Sequence, residues 1–271
     1  MSALAADGTD TSFATKRLGE CDSVFLWQSQ RKRVVQLGKN QRCKTKSAAV
    51  VGLAVTKGRA LWLTSAGTPL STLRLWTATS TRTTPRQLDM ATRDIQSNEP
   101  QPILVGSAGG GLLPYADDAA VTVLRSDGTT AFTWTANDHV VALAARGGQV
   151  AVAQDGNRVT VLDGKGNILS VDLFTTPVTA VALTAKGLLV QRGTTLELRR
   201  SADSHQNTIS PTGQLADADS RWAAWIDGKS VHVIRLPDGA PAGTYPGTAA
   251  ALAGSTLYVA NGKTITIRTI R

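Results

Sequence analysis

Four segments of this chain repeat one pattern: VAVAQDGNRVTVL from Val150, LLVQRGTTLELR from Leu188, AAWIDGKSVHVI from Ala223 and LYVANGKTITIR from Leu257. Each reads as a strand, a tight turn and a second strand, and this repetition restricts the fold more than any other feature. The turn pairs Asp155-Gly156, Arg192-Gly193, Asp227-Gly228 and Asn261-Gly262 recur at one place because a tight hairpin needs positive φ, which glycine supplies without steric cost. Upstream of each hairpin lies a short apolar segment, beginning at Val140, Val178, Gln214 and Ala249. Its small and aliphatic residues suit an inner strand between neighbouring sheets. Downstream, NILSVDLF from Asn167, QNTIS from Gln206 and AGTYPG from Ala242 supply an outer strand. The repeating unit is four antiparallel strands.

The third strand of the unit runs through the whole chain as VFLW from Val24, LRLW from Leu73, VTVL from Val121, VTVL from Val159, LELR from Leu196, VHVI from Val231 and ITIR from Ile265. Successive starts differ by 49, 48, 38, 37, 35 and 34 residues. A four-stranded unit of this period cannot bury both faces until neighbours flank it, so the pattern predicts an all-β fold, a single β-propeller of four-stranded antiparallel blades. At 271 residues and 42% hydrophobic, the chain has the material for one such domain. Inner strands beginning near Val50, Pro102, Val140, Val178, Gln214 and Ala249 give six blades, with VFLW and its partner RVVQLG from Arg33 closing the ring on the C-terminal blade. The alternative is seven, if the N-terminal hairpin belongs to a blade of its own. Residues 1–20, rich in Thr, Asp and Ala, read as a flexible tail, and residues 21–271 as the propeller.

The turns in VLRSDGTTAFTW and VLDGKGNILSVDL resemble those of PQQ-like and WD40-like propeller repeats, in which a strand ends in a D-x-x-G or D-G turn before the outer strand. The resemblance covers about 250 residues as blade periodicity. CDSVFLW from Cys21, Cys43 and LRLWTATSTR are similar to poorly characterised exported propeller proteins of high-GC bacteria. No blade carries the full A-x-D-x-x-T-G-x-x-x-W pattern or the Gly-His and Trp-Asp pairing of a standard WD40 blade, so the resemblance implies neither PQQ binding nor any other cofactor.

Cys21 and Cys43 are the only cysteines, and they flank the hairpin SVFLWQSQRKRVVQLG almost symmetrically about its turn near Gln30. Paired strands would bring them together as a disulfide, stabilising the hairpin by roughly 3 kcal/mol in the chain-entropy picture. Disulfides persist in oxidising compartments, so the expectation is an extracellular or cell-envelope protein. The N-terminus shows no signal-peptide apolar centre, and no apolar run approaches the roughly 18 residues of a membrane span. Two cysteines without nearby histidine do not make a zinc site.

Catalytic residues are not evident. His139, His205 and His232 fall in different blades, the glutamates are only Glu20, Glu99 and Glu197, and most aspartates sit in turns where they bond local backbone. Asp117 and Asp118 read as a solvated hairpin turn. GSAGGG from Gly106 lacks the Lys and the helix of a phosphate loop and reads as an irregular loop. The six tryptophans, mostly inside strands, read as packing between blades.

Charge is the sharpest functional feature. The net charge is +9, and Arg31 to Arg59 carries Arg31, Lys32, Arg33, Lys39, Arg42, Lys44, Lys46, Lys57 and Arg59 with no acid between them. On one rim these would form an anion-binding patch. As an ordinary solvated edge they would discourage sheet association. The expected function is a monomeric, non-enzymatic propeller presenting loops and rims to a protein or a cell-envelope polymer. The alternatives are an enzyme or small-ligand binder using the central channel, and a binder of nucleic acid or another anionic polymer through Arg31 to Arg59, with nucleic acid the less favoured partner.

Overall fold

A computed structural model of the chain describes residues 3–15, 22–38, 48–97, 100–155, 157–199, 206–209 and 213–271. These residues are all-β and form seven antiparallel sheets, each made from consecutive strands. Blade 1 comprises β1 (Ala3–Asp7), β2 (Asp10–Thr15), β3 (Ser23–Gln28) and β4 (Arg33–Leu37), and blade 2 comprises β5 (Ala49–Thr56), β6 (Arg59–Ala66), β7 (Leu70–Thr79) and β8 (Arg86–Asp94). Blade 3 follows with β9 (Ile103–Val105), β10 (Leu112–Asp117), β11 (Ala120–Arg125) and β12 (Thr130–Thr135), and blade 4 with β13 (Val140–Arg146), β14 (Gln149–Gln154), β15 (Arg158–Asp163) and β16 (Ile168–Leu173). Blade 5 holds β17 (Ala180–Thr184), β18 (Gly187–Arg192), β19 (Thr195–Arg199) and β20 (Gln206–Ile209). Blade 6 holds β21 (Gln214–Asp219), β22 (Trp222–Asp227), β23 (Ser230–Arg235) and β24 (Pro241–Pro246). Blade 7 has three strands among the described residues, β25 (Ala249–Ala253), β26 (Thr256–Asn261) and β27 (Thr264–Thr269).

The hairpins expected from the repeats are β14–β15, β18–β19, β22–β23 and β26–β27, and the six expected inner strands are β5, β9, β13, β17, β21 and β25. The N-terminus differs from expectation. Residues 3–15, read as tail, form the inner two strands of blade 1, so VFLW is the third strand of a complete sheet and does not add to blade 7. The polar composition that suggested a tail is accommodated by bonding. Asp10 and Ser12 are buried, with Asp10 Oδ2 accepting from the Gly58 N–H at 2.6 Å and Ser12 Oγ donating to the Phe25 carbonyl at 2.9 Å. The ring closes by packing between blade 7 and blade 1, whose inner strands β25 and β1 are neighbours.

Between blades the core is aliphatic. Val121, Val123, Phe132, Val150, Val152 and Leu162 fill the space between blades 3 and 4. The glycine run after β9 has a packing reason. A Cβ on Gly106 would stand 2.3 Å from Leu143 Cβ and one on Gly109 2.5 Å from the Ala145 carbonyl oxygen, so only glycine lets this stretch lie against β13. Ser107 pairs with Ala144 in a parallel bridge there.

Candidate functional site

Inner strands of successive blades run the same way along the channel, so the topology sorts every turn onto one of two rims. Turns between first and second strands and between third and fourth strands share the first rim. Turns between second and third strands, with the connections between blades, share the second. The Arg31–Arg33 turn of β3–β4 and the Lys57–Arg59 turn of β5–β6 therefore lie on the first rim. Arg31, Lys32, Arg33 and Lys57 are exposed. Arg59 is tied down, donating through Nε to the Ser126 carbonyl and through Nη2 to the Asp127 carbonyl, both at 2.8 Å. Lys39, Arg42, Lys44, Lys46, Cys21 and Cys43 lie outside the described residues.

The channel holds a cavity of about 250 Å³ with Leu104, Val105, Val141, Ala142 and Ala180 in its wall, and Asp217 as its acid. Asp217 Oδ2 accepts from the Leu252 N–H and Oδ1 from the Ala218 N–H, both at 2.8 Å. Burial pushes its carboxyl up to about 7, and the charge of Asp7 adds to that, while the two backbone donors and Arg146 oppose it. Two residues further along β21, Asp219 pairs with the Arg146 guanidinium and accepts from the Gly254 N–H. Burial lowers the Arg146 pKa, with Asp217 and Asp7 acting against it. Thr56 Oγ1 donates to Asp7 and accepts from the Gly111 N–H at 3.1 Å. Polar groups from blades 1, 2, 4 and 6 thus meet where the inner strands end, and they hold backbone of blades 3 and 7.

This cluster was not found by reading for motifs, because its members are scattered over more than 200 residues. The usable signal was QLADADS, with acids two apart on a strand expected to line the channel, and an arginine ending the inner strand VVALAAR.

The remaining residues of interest have local roles. Asp118 has φ 53° in the β10–β11 turn, and its Oδ1 lies 2.6 Å from His139 Nδ1. His232 stacks on Trp225 with centroids 5.4 Å apart. Trp62 and Trp222 are buried, and Trp76 Nε1 donates to Thr64 Oγ1 at 3.1 Å. His205 is outside the described residues. Among the described residues no group of three or more His, Cys, Asp or Glu is placed to hold a metal ion, and no helix is long and apolar enough to cross a membrane.

No family profile matches this sequence, and no curated protein matches it. Solved structures do match in shape. A chain of the mitotic checkpoint complex superposes with a TM-score of 0.66 at 13% identity, over 100% of this chain and 90% of that one. The fold is a WD40-like β-propeller. Raptor from Chaetomium thermophilum gives a TM-score of 0.59 at 12% identity over 100% of this chain, which spans only 27% of that protein. The computationally designed Ika8 protein gives 0.56 at 12% identity, over 99% of this chain and 96% of the design.

Proposed function

We propose that this propeller is a non-enzymatic binding scaffold that takes a protein partner on its first rim. The observation that carries the reading is an uneven distribution of exposed charge between the rims. Turns of the first rim present Lys57, Arg82, Arg86, Arg125, Lys165 and Lys186 against Asp127 and Asp238, whereas turns of the second present Asp117, Asp118, Asp138, Asp155 and Asp227 against Lys229 and Lys263. A fold that collects like charge from separate blades onto one face creates a field that steers and orients a partner. Propellers of similar shape occur in Raptor and in the mitotic checkpoint complex, the latter by its name a protein assembly, which accords with a scaffold.

Lysine-directed crosslinking of the full chain in its native cells tests this. Crosslinks to other proteins should concentrate on Lys57, Lys165 and Lys186 and be sparse on Lys229 and Lys263 of the second rim. Equal yields on the two rims, or none to other proteins on the first, would sink the reading.

Export belongs to the same proposal, with Cys21 and Cys43 joined by a disulfide. In protein taken from its native compartment, neither thiol should alkylate before reduction. Free alkylation of both in the folded chain removes the case for an oxidising compartment.

A further inference from the structure

A concentration of positive charge on the first rim lies where blades 2 and 3 meet. Arg59 is a fixed cation there. Besides its bonds to the Ser126 and Asp127 carbonyls, its Nη1 donates to Thr77 Oγ1 at 3.2 Å, and the guanidinium lies against Gly128, where a Cβ would come within 2.7 Å of Nη2. Arg82 and Arg86, both exposed, sit in and after the β7–β8 turn: the Arg82 carbonyl accepts from the N–H of Thr79, the register partner of Arg59, at 3.1 Å, and Arg86 is the register partner of Thr77, so that burial and the charges of both lower the Arg59 pKa. Only Asp127 opposes them in that interaction, and its own carboxyl is held low by the backbone and hydroxyl of Thr129. Three guanidiniums kept together at a cost in mutual repulsion make a site that an anion would relieve.

Resting on the rim assignment above, we infer that the sector formed by Arg59, Arg82 and Arg86 docks a carboxylate-rich segment of a partner protein. Planar guanidinium forks pair carboxylates and phosphates alike in bidentate geometry, and two further observations favour carboxylates over a nucleic acid. The sector offers no exposed aromatic side chain among the described residues, so nothing there stacks a base. Asp127 stands inside the sector, where a phosphodiester backbone, with its dense and regular charge, would meet it, whereas acidic side chains spaced by neutral ones can avoid it. The exposed hydroxyls of Thr81 and Thr84 in the same turn add neutral donors.

Fluorescence anisotropy on the full chain distinguishes the outcomes, using a fluorescein-labelled peptide of alternating Glu and Gly and a labelled single-stranded oligodeoxynucleotide of equal length. The peptide should bind more tightly than the oligonucleotide and weaken as salt rises. The Arg82→Gln, Arg86→Gln double variant should lose about tenfold or more in peptide affinity, a change of roughly 1.4 kcal/mol. Lys229→Gln with Lys263→Gln on the second rim should lose less than about twofold, since distant exposed charges are screened. Both pairs are exposed turn residues, so unchanged thermal melting will show that the fold is intact. Tighter binding of the oligonucleotide that the arginine pair abolishes would replace the partner class with nucleic acid. Absence of peptide binding, or equal losses in the two double variants, overturns the sector. If crosslinks still map to the first rim in that case, the scaffold reading stands and only the carboxylate inference falls.

Discussion

The junction between blades 4 and 5 adds a buried ionic network to its aliphatic core, whereas the seam between blades 7 and 1 is closed by small and aromatic side chains. At the first, Glu197 on β19 is buried between two guanidiniums, accepting from Arg192 Nη2 at 2.6 Å and Arg199 Nε at 2.7 Å. Arg199 reaches on to Asp172 of β16 at 3.2 Å, and both guanidiniums lie over the Phe174 ring, 5.5 and 4.2 Å from its centroid. At the seam, Ala6, Ala251, Ala253 and Tyr258 are the buried core, joined by Leu4, Trp27 and Ile265. Trp27 meets Tyr258 edge-on with centroids 6.1 Å apart. Blades 4 and 5 are covalently consecutive, so a directional polar network there only has to fix their register. Blades 7 and 1 are linked by no such short connection, and small side chains let their inner strands approach closely enough for burial to do the joining.

The contrast predicts different signatures of damage. Glu197→Ala leaves two partly buried guanidiniums facing each other with Asp172, on Arg199, as their one remaining carboxylate partner, and the loss should be roughly 3 kcal/mol in urea unfolding. A cost below about 1 kcal/mol would mean that water replaces the carboxylate freely and that the junction is not an ionic clamp. Tyr258→Ala removes a buried aromatic ring together with its hydroxyl and should cost about 3 kcal/mol, mostly transfer and cavity energy. Its signature is early hydrogen exchange in β1 and β25 with β17–β19 unaffected. If β17–β19 open as readily, the seam is not a separate point of weakness.

Blade 7 is also held from its other side, by Asp217 of blade 6 bonding the Leu252 N–H, and the burial of that carboxyl carries a pH dependence. The unfolded carboxyl titrates near 3.8 and the folded one near 7, so across that interval the folded state binds the extra proton. Stability therefore falls as pH rises from about 4 to about 7 and levels off above. The full shift corresponds to about 4 kcal/mol, and the surface Asp217 keeps toward the channel reduces this to on the order of 2–3 kcal/mol. Denaturant midpoints of the wild type measured from pH 4 to 8 should show that fall relative to Asp217→Asn. Parallel curves for the two proteins would refute it.

How much of this was legible in the sequence differs between the two regions for a physical reason. The C-terminal half was readable strand by strand because each hairpin carries a Gly where φ must be positive, as at Gly193, Gly228 and Gly262. The two inner strands of blade 1 were not legible because β2 buries Asp10, Thr11 and Ser12, residues that look solvated until Gly58 and Phe25 are brought beside them. The seventh third strand, VFLW, was visible, and the inner strand it required was hidden by that polarity. The channel cluster was illegible for another reason. A buried aspartate in a strand and a turn aspartate look alike in one dimension, and only ring closure distinguishes Asp217 from Asp227. The basic segment was half legible: Arg31 to Arg33 and Lys57 do share a rim, but Arg82 and Arg86, which join Arg59, lie outside the run that drew notice.

The smallest expected effect tests whether polar ties help close the ring at all. Thr56 Oγ1 links three blades, donating to Asp7 of blade 1 and accepting from Gly111 of blade 3 while its own strand belongs to blade 2. Thr56→Val keeps the side-chain shape but leaves the Gly111 N–H without its acceptor and Asp7 without its donor, which should cost about 1–2 kcal/mol. Thr56→Ser restores the hydroxyl and should recover most of that loss, because what is lost with valine is the bond and not the packing. The outcome bears directly on the seam. If valine costs nothing, the polar ring at the end of the channel is incidental to closure, and burial around Tyr258 alone joins the ends of the chain. If valine costs as much as Tyr258→Ala, closure is shared between the seam and the channel, and the two junctions differ less than their chemistry suggests.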